Sequence, residues 1–521
     1  MILNINLHLI KLKSFFLSIN KKDFFIVLLL LFFLLFFLFP FLYLLPYYPF
    51  KFRILFLAFL LSWLLIIHFN TKLIFFLVPW ILIFQGNHPG GRFLEIGDYL
   101  LIISAIYLLS TNKIQIFYRK SIFIKIYIIL LIPIITNWYA ILDIEHYRFN
   151  IFHFLSSSEL EPFFSLKQWM ISIAMTILIL TAVSNIIFKK YIIKGVYTSL
   201  IFLSIIAILE WGFKDIQKFI DIVQVWISGY TDRHQSHFSS IGLKTSTKSL
   251  FWNRSWFSMY LISSIPMIAY VIKDRKYKLL EIISVIIVIT LLLISIGSRG
   301  ALFSFWFSII ITSLIFLNKN LNKYFLLEGV FIGFIVMYSI FIIFVYPDID
   351  ISRRNHLISG INAFKLSPIV GWGLDSFGWV NEIFLRGMNL ASKFHSTHND
   401  YLNFLVGNGI ILFIFYIIIH LKLIDFFKRY FLVTASLFAV LFYKNFQEWT
   451  YINAITFPFL FLIIMAIRKV KFSNNIFFPL IIILLLGSLY KPITNYQLPI
   501  TNYQLPITNY QLPITNRIWS V

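Results

Sequence analysis

A chain of 521 residues that is 60% hydrophobic and 12% charged, with a mean hydropathy of +0.86, carries more apolar surface than a water-soluble fold can hide. Its formal net charge of +23 comes from basic residues dispersed among apolar runs, which makes nucleic acid a poor partner and anionic ligands or membrane phosphates better ones. The absence of cysteine excludes disulfides, thiolate metal sites, iron–sulfur clusters and cysteine nucleophiles.

Lys11, Lys13, Lys21 and Lys22 precede an apolar run from Phe24 to Leu45. That run is too long for a signal-peptide core and no small-x-small cleavage site follows it, so it reads as an uncleaved first span. Further spans are expected near 54–69, 73–85, 96–110, 121–140, 168–188 and 195–213. A later set lies near 255–272, 279–296, 301–317, 324–346, 401–419, 430–443, 451–467 and 474–490. The segments 73–85 and 96–110 are short enough for half-spans or a re-entrant pair. Continuous Leu, Ile and Phe runs, rather than alternation, specify helices and not barrel strands. The fold class expected for residues 1–490 is therefore all-α, a polytopic membrane bundle of roughly 12–15 spans.

Placing the amino terminus inside the cell puts most short basic loops inside as well: Lys189, Lys190 and Lys194; Lys273, Arg275, Lys276 and Lys278; Lys319 and Lys323; Lys422, Lys428 and Arg429; Arg468, Lys469 and Lys471. Lys51 and Arg53 are exceptions. Three long segments then face outward, about 141–167, 214–254 and 347–400, and long loops in a compact protein tend to carry function. The third is expected to hold an amphipathic helix over 353–366, with Leu357, Ile361 and Phe364 near one face, ended by Ser367-Pro368. Gly371, Gly373 and Gly378 then mark turns. Residues 491–521 include a seven-residue repeat containing Pro492, Pro499, Pro506 and Pro513; proline in every repeat forbids a coiled coil, leaving a low-complexity tail.

Four motifs lie in order over 250–412. They are Phe251-Trp-Asn-Arg254; Gly297-Ser-Arg299-Gly-Ala-Leu302; Arg354 followed by Pro368-Ile-Val-Gly371-Trp-Gly373-Leu-Asp-Ser-Phe377; and His398-Asn399 with Gly409 after nine residues. In this order they resemble the O-antigen ligase and O-antigen polymerase family. Leu412 stands where the family's last motif has a glycine. The resemblance implies a GT-C-like bundle that moves a glycan from a polyprenyl diphosphate carrier to an acceptor hydroxyl outside the cytoplasmic membrane of a bacterium. Donor glycan and membrane lipid are the implied partners, with lipid A-core, protein or another lipid-linked glycan as acceptor. No cofactor or metal is implied.

Arginine suits a diphosphate leaving group, because its planar fork binds phosphate oxygens in pairs and stays charged. Arg254, Arg299 and Arg354 are the implied diphosphate ligands, with Arg299 also catalytic and Arg353 inseparable from Arg354 by sequence. Each, taken singly, also fits an interfacial anchor. His398 is the implied base or orienting residue, since an imidazole with an ordinary pKa of about 6.5 accepts a proton near neutrality; a polar cap at membrane re-entry is the plainer reading. Asn399 suits a turn or the orientation of that ring, Gly409 close packing against a neighbouring helix, and Gly371 and Gly373 structural turns.

Rival constellations are weaker. His395, His398 and Asp400 could hold a metal, yet no third histidine is near in sequence. Asp348-Ile-Asp350 imitates a nucleotide-sugar motif on the side where nucleotide sugars are not expected. Arg233, His234 and His237 fit a solvated surface or an acceptor contact. Glu210 and Glu448, beside Trp211 and Trp449, fit the membrane interface. No P-loop, dinucleotide fingerprint or nucleophile elbow has a supporting strand–helix context. The first outer loop, 46–53, lacks the carboxylate that enzymes using lipid monophosphate sugars place there. Ligase and polymerase remain undivided; a transporter for polysaccharide or a small anion, and a structural assembly subunit, are the alternatives from other classes.

Overall fold

In a computed structural model of the chain, the residues described are 50–83, 96–110, 121–136, 163–228, 247–251, 254–272, 278–318, 322–340, 351–381, 385, 397–446, 453–467, 479–480 and 482–485. The expected first span, the repeat tail, Asp348-Ile-Asp350, the Arg233, His234 and His237 group, His395 and Glu448 lie outside them.

Among the described residues the structure is all-α, with no strand. The helices are α1 Phe50–Phe69, α2 Thr71–Leu82, α3 Ile96–Ser110, α4 Ser121–Thr136, α5 Phe163–Ser184, α6 Ile186–Gly212, α7 Lys214–Ser228 and α8 Arg254–Ile272. They continue with α9 Lys278–Ile296, α10 Arg299–Leu317, α11 Lys323–Ile340, α12 Ile351–Leu366, α13 Phe377–Val380, α14 Asp400–Phe427, α15 Phe431–Tyr443 and α16 Asn453–Ile467. Most bounds fall within a few residues of the expected spans. Two differ for local reasons. The side chain of Asn185 caps α6 by accepting from Ile187 and Phe188 N–H, so Lys189, Lys190 and Lys194 ride on its first turns and not in a loop. The segment 214–254, expected to be a long loop, opens with α7, whose alternation of Ile and Val with charged residues supports an amphipathic helix.

Among the described residues, four helices are long and apolar enough to cross a membrane: the 165–184 part of α5, then α6, α10 and α14. α5 is apolar on all sides and 89% of its span is buried, against 39%, 33% and 33% for the other three. It packs among α3, α4, α6 and α16. Two ties fix it there: Trp169 Nε1 donates to Tyr127 O of α4 at 2.9 Å, and Lys167 pairs with Asp98 of α3 at 3.4 Å.

α10 divides into two faces. Ala301, Ser304, Ser308 and Thr312 are buried against α15, where small side chains let backbones approach. Phe303, Trp306, Ile310, Leu314 and Leu317 are exposed on the other side. A stripe of that composition on a soluble protein would be an association surface; on a helix of this length it suits lipid.

The two ends of the helices differ in their charged side chains. At one end Lys189 donates to the Tyr270 hydroxyl at 3.4 Å, Tyr270 meets Phe427, and Lys323 and Lys428 lie over the rings of Phe316 and Tyr324. Arg254 and Arg299 open α8 and α10 at the opposite end.

Candidate functional site at the arginine-bearing end

α14 is not one straight helix. Tyr416 OH donates to Asp400 Oδ2 at 2.7 Å across 16 residues, and the Phe404 and Tyr416 rings stack at 4.0 Å. An unbroken helix would separate residues 400 and 416 by about 24 Å along its axis. The chain therefore folds back at Gly409, whose φ of 69° and ψ of 176° suit only glycine. A short arm, 400–408, is followed by a returning arm, 410–427, about 27 Å long at 1.5 Å per residue. This corrects the expected single span over 401–419. It also corrects the reading of Gly409: its Cα faces the Ile369 carbonyl and the Val370 nitrogen, a loop backbone and not a neighbouring helix.

The Pro368–Asp375 stretch wraps around that reversal. Ile410 N–H donates to Pro368 O at 2.9 Å, Trp372 N–H to Val406 O at 3.1 Å, and Gly373 N–H to Gly407 O at 2.6 Å. A Cβ on Gly371 would strike the Gly407–Asn408 peptide, and one on Gly407 the Gly373 carbonyl. Gly371, Gly407 and Gly409 thus allow backbone to lie on backbone, whereas Gly373, at a φ of 113°, faces the side chains of Ile134 and Ser165. Asn403 Nδ2 adds a bond to Asp375 Oδ1 at 2.9 Å. Gly378, expected at a turn, instead lies inside α13.

His398 sits immediately before the short arm, partly buried, with a φ of 49°. A non-glycine residue held there costs about 1–3 kcal/mol, so its flanks must impose it. They do. Asn399 caps α14 by accepting from Leu402 N–H at 2.9 Å, which is the turn-satisfying role expected of it. Thr397 Oγ1 donates to Asn399 O at 2.7 Å. Asp400 N–H donates to Lys444 O at 2.8 Å, and Asn399 Nδ2 reaches Asn445 O at 3.4 Å. Lys444 Nζ then pairs with Asp400 Oδ2 at 2.8 Å and donates to Tyr416 OH at 2.6 Å, fully enclosed. Asp400, weighed in the sequence as a metal ligand beside His395 and His398, is instead committed to Lys444 and Tyr416.

Tyr443, the neighbour of Lys444, links the arginine helices. Its hydroxyl lies 2.8 Å from Ser258 Oγ, one turn into α8 after Arg254, and 3.1 Å from Ser298 Oγ, the residue before Arg299. Arg299 is exposed and begins α10 two residues after Gly297, whose φ of 72° turns the chain out of α9. The stretch before Arg254 is tied to the same end: Thr247 N–H donates to Ser295 O at 3.1 Å. Glu210 Oε2 accepts from Lys248 and Ser249 N–H at 3.0 and 2.8 Å. Glu210, near the end of α6, is 1% exposed, and two peptide donors replace the water its carboxylate would need.

α12 supplies the last components. The His356 ring stands edge-on to His398 at 5.0 Å between centroids. Gly360, one turn on, lets α12 close against Thr397 and Leu402. The buried face of α12 is therefore His356, Ser359, Gly360 and Ala363 together with Leu357, more polar than the expected Leu357, Ile361 and Phe364 stripe. Arg353 occupies the helix position one turn before His356. Arg354 is partly buried, and its Nε has no hydrogen-bond partner among the described residues.

Arg254, Arg299 and His398 are thus drawn to one end through residues 443–445, while Arg353 and Arg354 lie in the first turn of α12, the helix that brings His356 to His398. Lys444, Tyr443, Tyr416 and His356 escaped the sequence reading, since their partners lie far away in the chain and none belongs to a spaced motif. Lys444, a lone cation closing an apolar run, was the one available signal.

By class this is an all-α protein with helices able to cross a membrane. Compared with known proteins, the chain matches no family model, no curated protein and no solved structure.

Proposed function

We propose that the chain is a polytopic glycosyltransferase of a bacterial cytoplasmic membrane, GT-C-like in fold, of the O-antigen ligase or polymerase type. Its donor is a glycan on polyprenyl diphosphate, and its acceptor is a hydroxyl on lipid A-core, protein or another lipid-linked glycan. One observation carries the reading: Tyr443 joins the helix starts that bear Arg254 and Arg299, beside the His398 hook, at the end opposite Lys189, Lys323 and Lys428. By the positive-inside rule the lysine end faces the cytoplasm, so the arginine end faces outward, where such donors are used.

The chemistry follows from those groups. As the bond between anomeric carbon and diphosphate oxygen breaks, the electron pair leaves with the diphosphate, and Arg254, Arg299, Arg353 and Arg354 balance the growing charge. The acceptor oxygen bonds to the same carbon from the opposite face, inverting it, and its proton passes to His398. The His356 ring beside it limits how that imidazole can turn. The carrier bond supplies the energy, with no cofactor and no metal in this scheme.

A reconstituted transfer assay tests the proposal: His398→Ala and Arg299→Ala proteins that fold should lose transfer, and full transfer by either would remove the mechanism. Ligase and polymerase separate in a deletion strain, which accumulates long unattached chains in the first case and single repeats in the second. Transport of an anion draws on a different observation, the enclosed Asp98–Lys167 and Asp400–Lys444 pairs. Uptake of a labelled anion into proteoliposomes would favour it.

A further inference from the structure

We propose that the Asp400–Lys444 ion pair, closed by Tyr416, is a positioning device that sets His398 in register with the two arginine helices. The proposal rests on the glycosyltransferase reading above.

Lys444 differs in kind from the arginines. Arg299 is exposed and available to a ligand. Lys444 is 3% exposed, bonded to Asp400 Oδ2 and Tyr416 OH, and covered by the rings of Tyr416 and Phe459 at 5.1 and 4.7 Å. A cation neutralised and roofed in this way binds no diphosphate; its work is internal. Little water or salt reaches the pair, so its attraction is poorly screened and its geometry is sharply held.

What the pair holds is specific. Asp400 lies two residues after His398, and its N–H reaches the Lys444 carbonyl while its carboxylate reaches the Lys444 ammonium. Backbone and side chain together fix both the height and the rotation of the hook that carries His398. Tyr443 transmits the same register to Ser258 and Ser298, each within one turn of an arginine. Tyr416 makes the device conditional, because its hydroxyl reaches Asp400 only when α14 is folded back at Gly409. Three consecutive residues, 443–445, therefore touch the neighbours of Arg254, Arg299 and His398.

The test uses the full-length protein in proteoliposomes, with a polyprenyl diphosphate-linked glycan as donor and a glycan acceptor. Asp400→Asn, Lys444→Met and Tyr416→Phe should lower kcat, by as much as about a hundredfold for a misplacement near 1 Å, and leave KM for the donor nearly unchanged. Tyr416→Phe keeps the ion pair and removes one hydroxyl, so it decides the matter should Lys444→Met fail to fold. An unchanged kcat in Tyr416→Phe and Asp400→Asn overturns the proposal. So does a rise in donor KM at constant kcat, which would make Lys444 a donor ligand. If the wild-type protein transfers nothing, the enzymatic reading falls instead. Positioning is then judged by spin labels on cysteines introduced at Phe303 of α10 and Ile410 of α14. A distance distribution that broadens or shifts in Tyr416→Phe supports the device, and an unchanged one overturns it.

Discussion

At residue scale, the enclosed polar groups carry the largest mutational consequences. Lys444→Met leaves the Asp400 carboxylate buried without its counter-charge, and such a loss typically costs about 3–5 kcal/mol. The double variant Asp400→Asn, Lys444→Met removes both charges and should recover much of that stability. Unfolding of detergent-solubilised protein in increasing dodecyl sulfate would measure the difference. Glu210→Ala strands the Lys248 and Ser249 N–H groups, which costs about 1–3 kcal/mol for each one left unsatisfied. The same unfolding measurement should rank it well below wild type. Of these groups, the sequence made Asn399 legible as a turn residue; the capping that it also offered for His398 falls to Asn399. It hid Lys444, because an ion pair with a partner 44 residues away has no local signature. It left the partners of Glu210 unread, since a carboxylate beside Trp211 near the end of an apolar run looks the same whether water or two peptide donors will solvate it.

At element scale, hydropathy located the helices and failed at the fold-back. The apolar run continues through Val406-Gly407-Asn408-Gly409-Ile410, so a sliding window sees one span. The Gly-Asn-Gly turn signal was present but outweighed by its neighbours. The backbone contacts of Pro368–Asp375 around that turn are equally silent in sequence, because peptide groups carry no side-chain code. Gly409→Ala should therefore be severe, placing a Cβ against the Ile369 carbonyl in a conformation that only glycine accepts. The expected result is loss of folded protein on size exclusion. The same substitution at Gly329, where a Cβ would meet nothing within 4 Å, should pass unnoticed. Gly371→Ala should resemble Gly409→Ala, since it meets the other side of the same interlock.

At the scale of the molecule, the absence of cysteine offers a clean topology experiment. Single cysteines at Arg299 and at Lys323 should react with a membrane-impermeant maleimide from opposite sides of sealed vesicles. Labelling of both from one side would contradict the separation of the arginine and lysine ends. Beyond that separation lies a consequence for biosynthesis. α5 is the most enclosed of the long helices, yet its cover is drawn from α3 and α4, made before it, and from α6 and α16, the last of these far downstream. During synthesis the flank of α5 that α16 covers is therefore completed only after α6 to α15 have been made. A polypeptide truncated before Asn453 would leave that flank of α5 uncovered, and limited proteolysis of the truncated protein should cut it more readily than the full chain.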